Sequence, residues 1–317
     1  MNTLPQAIQE RIAQWLEAGE IEVFIGYERG PVPLRATPAF VRDPKEVGRL
    51  IWDATCENNL VAFLPKYRGK KVGILVKGCD SRAINGLIQE GQVQRANLKV
   101  IGVHCAGVVD PLQVARRLGV PVEALEQVGL EGELLRANGV TLPVAEVLYD
   151  LCKTCAQHNP VVADETIGSE IPDASRDEAF AHVREMEALS SDERWARFTQ
   201  ELERCNLCYA CRNACPMCYC NVCFVDRTMP RWFNQTTTAE DIQFYQIMRT
   251  FHLAGRCVGC GACTRACPQG VNLRLLLDKL RLECLELFGY EAGINPQVEP
   301  PLRTYRQDDY NDFIMSD

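Results

Sequence analysis

Cysteines at regular spacing are the groups in this chain most able to do chemistry. Cys205-Asn206-Leu207-Cys208-Tyr209-Ala210-Cys211-Arg212-Asn213-Ala214-Cys215-Pro216 is one run, and Cys257-Val258-Gly259-Cys260-Gly261-Ala262-Cys263-Thr264-Arg265-Ala266-Cys267-Pro268 is the other. Each reads C-x2-C-x2-C-x3-C-P, a spacing that suits thiolate ligation of a 4Fe–4S cluster. Two-residue gaps let one loop reach three corners of a cubane, while the fourth thiolate comes from a distant segment. Zinc is the competing metal, but its sites pair one C-x2-C with another. Three successive steps crowd a single tetrahedral ion.

The paired runs resemble those of bacterial two-cluster ferredoxins, in which the fourth cysteine of each run serves the other cluster. That pattern implies Cys205, Cys208, Cys211 and Cys267 for one cluster, and Cys257, Cys260, Cys263 and Cys215 for the second. The prolines turn the chain away after the fourth ligand, and Gly259 and Gly261 permit close backbone approach.

The elements that position these thiols are read from periodicity. Ile8, Ile12 and Leu16 form a helical stripe over residues 6–17. From about residue 20 the pattern becomes α/β, with strands expected at 21–25, 71–77 and 98–104. Asp80 is a candidate cap for a helix over 81–92, and Asp110-Pro111 starts another over 112–118. Alternating strands and helices argue for a mostly parallel, covered sheet. The expected organisation is an α/β domain over 1–160, then a helical connector over 161–203. A two-cluster ferredoxin-like domain of α+β type follows over 204–290, and an extended tail over 291–317. The aromatics of the insert between the runs (Trp232, Phe233, Phe244, Tyr245, Phe251) read as local core, and a helix is expected over 271–288 with Cys284 as a core thiol. Tyr305–Tyr310 and Phe313–Met315 are candidate docking segments of the tail.

More thiols lie in the first half. Cys79 and Cys105 each follow an expected strand, and ligands of parallel sheets bind at the carboxyl ends of strands. Cys152-Lys153-Thr154-Cys155 adds a C-x2-C, so four thiolates suffice for a third cluster. Buried structural thiols and a redox pair at Cys152 and Cys155 are the competing readings. Cys218, Cys220 and Cys223 crowd directly after the first run and suggest a fourth cluster, with Cys56 or Cys284 as the missing corner. Alternatively Cys218 and Cys223 pack beside the cubane and tune it, as could Arg212, Arg256 and Arg265.

The ordered set Lys77-Gly78-Cys79-Asp80-Ser81-Arg82-Ala83, Gly102-Val103-His104-Cys105, Cys152…Cys155 and Ala163-Asp164-Glu165-Thr166-Ile167-Gly168 resembles the β-subunit family of deazaflavin-coenzyme-reducing hydrogenases and formate dehydrogenases. The resemblance covers residues 20–170. It implies that Cys79, Cys105, Cys152 and Cys155 ligate a cluster, and that FAD binds in this domain. No G-x-G-x-x-G accompanies it; Lys77 and Arg82, with the basic stretch 68–71, are the groups that could meet a flavin pyrophosphate. In the family the two-cluster segment usually precedes the α/β part. The reverse order here resembles iron–sulfur subunits associated with heterodisulfide-reductase-like complexes.

Composition bounds the class. The chain has 317 residues, 17 cysteines and a net charge of −8, which argues for reduced thiolates serving metal and against a nucleic-acid partner. No apolar run approaches the ~18 residues of a membrane span, and no signal peptide is visible at the start, so a cytoplasmic setting is expected. These features point to an electron-transfer subunit of an anaerobic oxidoreductase complex. Its partners would be hydrogenase, formate dehydrogenase, heterodisulfide-reductase-like or bifurcating subunits. A flavin-bearing subunit exchanging hydride with a deazaflavin or nicotinamide is the first alternative, and a stand-alone carrier the second.

Overall fold

The structure, a computed structural model, describes residues 3–301. Helix α1 (Gln6–Glu17) buries Ile8, Ile12 and Trp15 against the sheet that follows. That sheet has five strands: β1 (Val23–Arg29), β2 (Ala36–Val41), β3 (Val72–Lys77), β4 (Leu98–Val103) and β8 (Glu165–Ile167). Their order is β2-β1-β3-β4-β8, parallel throughout except for the β1–β2 hairpin. β3 is buried at all six positions, the near-continuous apolar run required of a strand covered on both faces.

Helix α2 (Gly78–Gln89) crosses from β3 to β4, and α3 (Pro111–Leu118) follows β4. The Asp110 side chain accepts from the Leu112 N–H at 2.9 Å, as expected of a cap. Asp80 does not cap α2. The helix begins two residues before it, at Gly78, and Asp80 sits wholly buried in the first turn beside Lys77 at 2.7 Å. A small antiparallel sheet, β5 (Gly129–Glu131), β6 (Leu134–Ala137) and β7 (Val140–Pro143), leads to the one-turn α4 (Asp150–Lys153).

Residues 165–167 form an edge strand within the stretch read as helical connector. Three residues are too few to carry a periodicity; β4's open edge supplies the pairing. Helices α5 (Arg176–Glu187) and α6 (Ser191–Leu202) come next, each opened by a capping box, Ser175 with Glu178 and Ser190 with Glu193. The two cysteine runs carry one-turn helices α7 (Ala210–Asn213) and α9 (Ala262–Arg265), and α8 (Ala239–Phe251) lies between them. Among the described residues this module has no strand, so the α+β form expected for it gives way to helices and cluster-type loops. Both runs spend their backbone on turns, and α8 occupies the chain that separates them. Of the insert aromatics, Phe233 and Tyr245 are buried, whereas Trp232 and Phe251 are exposed.

Helix α10 (Arg274–Phe288) ends at Gly289, and residues 291–301 then run along α2. Arg82 donates to the Ala292 carbonyl at 2.7 and 2.9 Å, Asn85 to Gly293 at 3.0 Å, and Gln89 to Val298 at 2.8 Å. One side chain per helical turn of α2 thus ties the end of the module to the sheet. A single hydrophobic cluster runs from Leu75 and Ile84 through Met217 to Tyr245 and Leu277. The tail segments 305–310 and 313–315 lie outside the described residues.

Candidate iron–sulfur centres

The two runs have the same backbone path. Leu207 and Tyr209 in the first, and Gly259 and Gly261 in the second, adopt positive φ of 54–68°. Alternating left-handed residues make the peptide N–H groups converge, a concavity suited to an anionic group. Glycine takes this conformation without strain; in the first run the buried Leu207 and the half-buried Tyr209 adopt it with a side chain. The second run needs glycine for a further reason. A Cβ at Gly259 would lie 2.2 Å from the Arg281 guanidinium, and one at Gly261 would lie 2.4 Å from Leu151 of α4.

Cys257, Cys260 and Cys263 line one cavity with Cys215, the last cysteine of the other run, together with Arg249 and Asp278. Burial pushes the Cys257 thiol up to about 12 and the Cys260 thiol up to about 11. Cys211 lies near Cys205 and Cys267. Tyr245 Oη is 3.6 Å from Cys211 Sγ, Gln246 Nε2 donates to Cys205 Sγ at 3.5 Å, and the Val271 N–H donates to Cys267 Sγ at 3.4 Å. Cys208 is exposed.

The first-half thiols meet at the carboxyl edge of the sheet. β3 and β4 are neighbours with Lys77 opposite Val103, so Cys79 and Cys105 leave the same edge. The 155–159 loop is laced to both: the Cys105 N–H donates to the His158 carbonyl at 3.0 Å, and a Cβ on Gly78 would lie 2.4 Å from the Gln157 carbonyl. Cys152 sits on α4, close under Gly107. Burial, with Cys152 and Cys155 nearby, pushes the Cys105 thiol up to about 12; burial likewise raises Cys155 to about 11. Burial, Asp80 and the neighbouring Cys260 and Cys155 also push Cys79 up. Such thiols stay protonated until a metal displaces the proton. The donor sets are all-thiol, partly to fully buried except at Cys208, and approached by backbone N–H groups, which fits iron–sulfur clusters; Cys79 is also the point where the first-half group approaches the second run.

Cationic side chains stand between these groups. Arg265 is buried against Cys260, Cys152 and Cys79, and its Nη1 donates to the Cys260 carbonyl at 2.7 Å. Arg249 of α8 was not singled out by the sequence, although it lies one turn after Tyr245 on the same helix face. It is buried and lines both the Cys257 cavity and the pocket of Cys218, Cys220 and Cys223. Burial opposes its charge, but Cys263, Cys215, Cys218 and Cys211 around it hold its pKa well above the ordinary value. Arg212 pairs with Asp226 at 3.0 Å and lies beside Cys223, and Arg256 pairs with Glu90 at 2.6 Å.

Cys218, Cys220 and Cys223 share one pocket with Arg212, Arg249 and Arg256. Cys56 is fully buried near Cys105, and Cys284 lines a small cavity with Cys257. The two side chains expected to meet a flavin are turned inward. Lys77 is 1% exposed, with its ammonium on Tyr27, Asp80 and two carbonyls. Arg82 holds Ala292 and Glu291. Neither presents a free charge to a pyrophosphate.

A family model described as a 4Fe-4S dicluster domain matches residues 201–271. The chain is 22% identical to the F420-dependent formate dehydrogenase subunit beta of Methanocaldococcus jannaschii, over 88% of this chain and 89% of that protein. It is also 22% identical to the F420-dependent formate dehydrogenase 1 subunit beta of Methanococcus maripaludis, over 90% of each. Among solved structures, a chain of the F420-reducing [NiFe] hydrogenase complex from Methanosarcina barkeri superposes at a TM-score of 0.39 with 14% identity, covering 64% of this chain and 90% of that one. The chain thus carries an iron–sulfur dicluster domain. Over most of its length it is similar to the β subunits of F420-dependent formate dehydrogenases, in keeping with the resemblance drawn from its motifs.

Proposed function

We propose that this chain is the iron–sulfur electron-transfer subunit of an oxidoreductase complex, with three 4Fe–4S clusters. Cys205, Cys208, Cys211 and Cys267 hold one; Cys257, Cys260, Cys263 and Cys215 hold the second; Cys79, Cys105, Cys152 and Cys155 hold the third. The observation that carries the reading is the continuity of the thiol groups. Cys211 neighbours Cys263, Cys260 neighbours Cys79, and Cys79 neighbours Cys155. When bound, the clusters supply one-electron transfer at potentials set by charge, hydrogen bonds to sulfur and burial. The chain's own part is to fix the thiolates, to exclude water with Leu151, Met217 and Leu277, and to place Arg249 and Arg265 where negative charge accumulates.

The partner class of this reading is the other redox subunits of an F420-linked formate dehydrogenase or hydrogenase in a cytoplasmic setting, a reading supported by similarity to F420-dependent formate dehydrogenase β subunits. The domain division at about residues 160 and 203 belongs to the same proposal. The inward commitment of Lys77 and Arg82 favours relay over a flavin-bearing hydride exchanger.

Iron, acid-labile sulfide and flavin counted per chain, on protein prepared without oxygen, test this. About twelve irons without stoichiometric flavin are expected. About eight would remove the third cluster, and about sixteen would extend the set to Cys218, Cys220 and Cys223. One tightly bound flavin per chain would replace the relay reading with the hydride-exchanging one.

A further inference from the structure

Between the two cysteine runs the chain makes a loop with an exposed crest and a packed neck. Val225 and Phe233 are buried, yet every residue from Asp226 to Trp232 is exposed. The neck is held from both sides: the Phe224 and Phe233 rings lie 6.0 Å apart, and Gln235 Nε2 donates to the Val225 carbonyl. Compact surface loops whose ends are close are frequently functional. This one carries Met229, 90% exposed, and Trp232, 59% exposed.

The charge on the loop is unbalanced. Asp226 pairs with Arg212 at 3.0 Å, whereas Arg227 and Arg231 have no acidic partner among the described residues. Two unpaired guanidiniums therefore stand either side of Met229 in a chain whose net charge is −8. Tryptophan, methionine and arginine are the residue types enriched where proteins meet. The neck also reaches a thiol group. The Phe224 ring lies 6.2 Å from that of Tyr245, and Tyr245 Oη is 3.6 Å from Cys211 Sγ. One aromatic ring thus separates the loop's anchor from a cysteine of the first run.

We infer that the 226–232 loop docks an electron-transfer protein that presents an apolar patch rimmed by carboxylates. The inference rests on the proposed cluster at Cys205, Cys208, Cys211 and Cys267, for which the loop marks the point of electron entry or exit. Met229 and Trp232 supply the apolar contact, and Arg227 and Arg231 supply the charge that steers the encounter. A pinned neck lowers the ordering cost of binding. Redox encounters use small contact areas, so a weak and salt-sensitive complex is what a loop of this size can hold.

Calorimetric titration of the intact chain, prepared without oxygen, with a strongly acidic bacterial ferredoxin tests the inference. One saturable site per chain is expected, with affinity falling as the ionic strength is raised. Arg227→Gln combined with Arg231→Gln is expected to weaken binding roughly tenfold and to flatten that salt dependence. Trp232→Ala is expected to weaken binding by about the same factor while leaving the salt dependence in place. All three side chains are exposed, so iron content and thermal midpoint should be unchanged in the variants. Absence of saturable binding, or an affinity unchanged in the double arginine variant, would overturn the docking site. Self-association of the chain that Trp232→Ala abolishes would also overturn it, by assigning the loop to a second copy. The iron count is read separately from binding: too little iron for the cluster, with binding intact, would overturn the electron-transfer role and leave only a docking loop.

Discussion

Cys152 illustrates how much one thiol can report. It lies on α4 under Gly107, away from both C-terminal runs in sequence but close to Arg265 of the second. Cys152→Ser is expected to lower the iron content by about four per chain while leaving the electron paramagnetic resonance signals of the dicluster module in place. Unchanged iron would return Cys79, Cys105, Cys152 and Cys155 to the status of structural thiols. Arg249 and Arg265 are the opposite kind of residue. They bring charge to groups whose ligands are all anionic when metal is bound, so their effect falls on potential and not on assembly.

Helix α10 shows the same logic at the scale of an element. Its Asp278 is buried, yet it accepts from Arg281 at 2.7 Å, Arg274 at 2.8 Å and faces His182 at 3.0 Å. Burial pushes its carboxyl up, but Arg281, His182 and Arg274 together hold it well below the usual carboxylate range. Asp278→Asn removes a buried counter-charge from two half-buried arginines, Arg274 and Arg281, and is expected to cost about 3 kcal/mol of stability at pH 7. A depressed pKa contributes stability that is full above the unfolded value of about 3.9 and fades as the pH falls below it. The gap between native and variant urea midpoints should therefore narrow as the pH is taken from 7 to below 4. A gap that stayed constant would place the effect in packing instead of charge.

At the scale of the molecule, the sheet and the cysteine module behave as one body. Their apolar residues form one cluster, and polar ties cross between them at Arg82–Ala292, Asn85–Gly293, Arg256–Glu90 and Arg265–Glu57. The thiol groups depend on this contact, because Gly261 packs on Leu151 beside Cys152. A single cooperative thermal transition is expected, with loss of cluster absorbance and loss of helical signal superimposed. Cluster loss well before the sheet melts would show that the two halves are independently stable and only docked.

The sequence by itself determined the chemistry and most of the scaffold. The C-x2-C-x2-C-x3-C-P spacing is a local covalent fact that needs no fold to be read, and β3, β4, α1 and α3 announce themselves by apolar runs or caps. It did not reveal β2, β8 or the small β5–β7 sheet, whose strands are short or interrupted by proline and are held by pairing with neighbours. Which side chains are spent on packing was equally invisible. Lys77 and Arg82 look like exposed phosphate binders until burial gives Lys77 Asp80, and Arg82 the Ala292 carbonyl and the Glu291 carboxylate, as partners. Arg249 looks like an ordinary helix residue until α8 lays it among four thiols. Spacing along the chain can say what a residue is able to bind; only the tertiary structure decides what lies within reach, because burial, charge pairing and the meeting of distant strand ends are set by packing across the whole molecule.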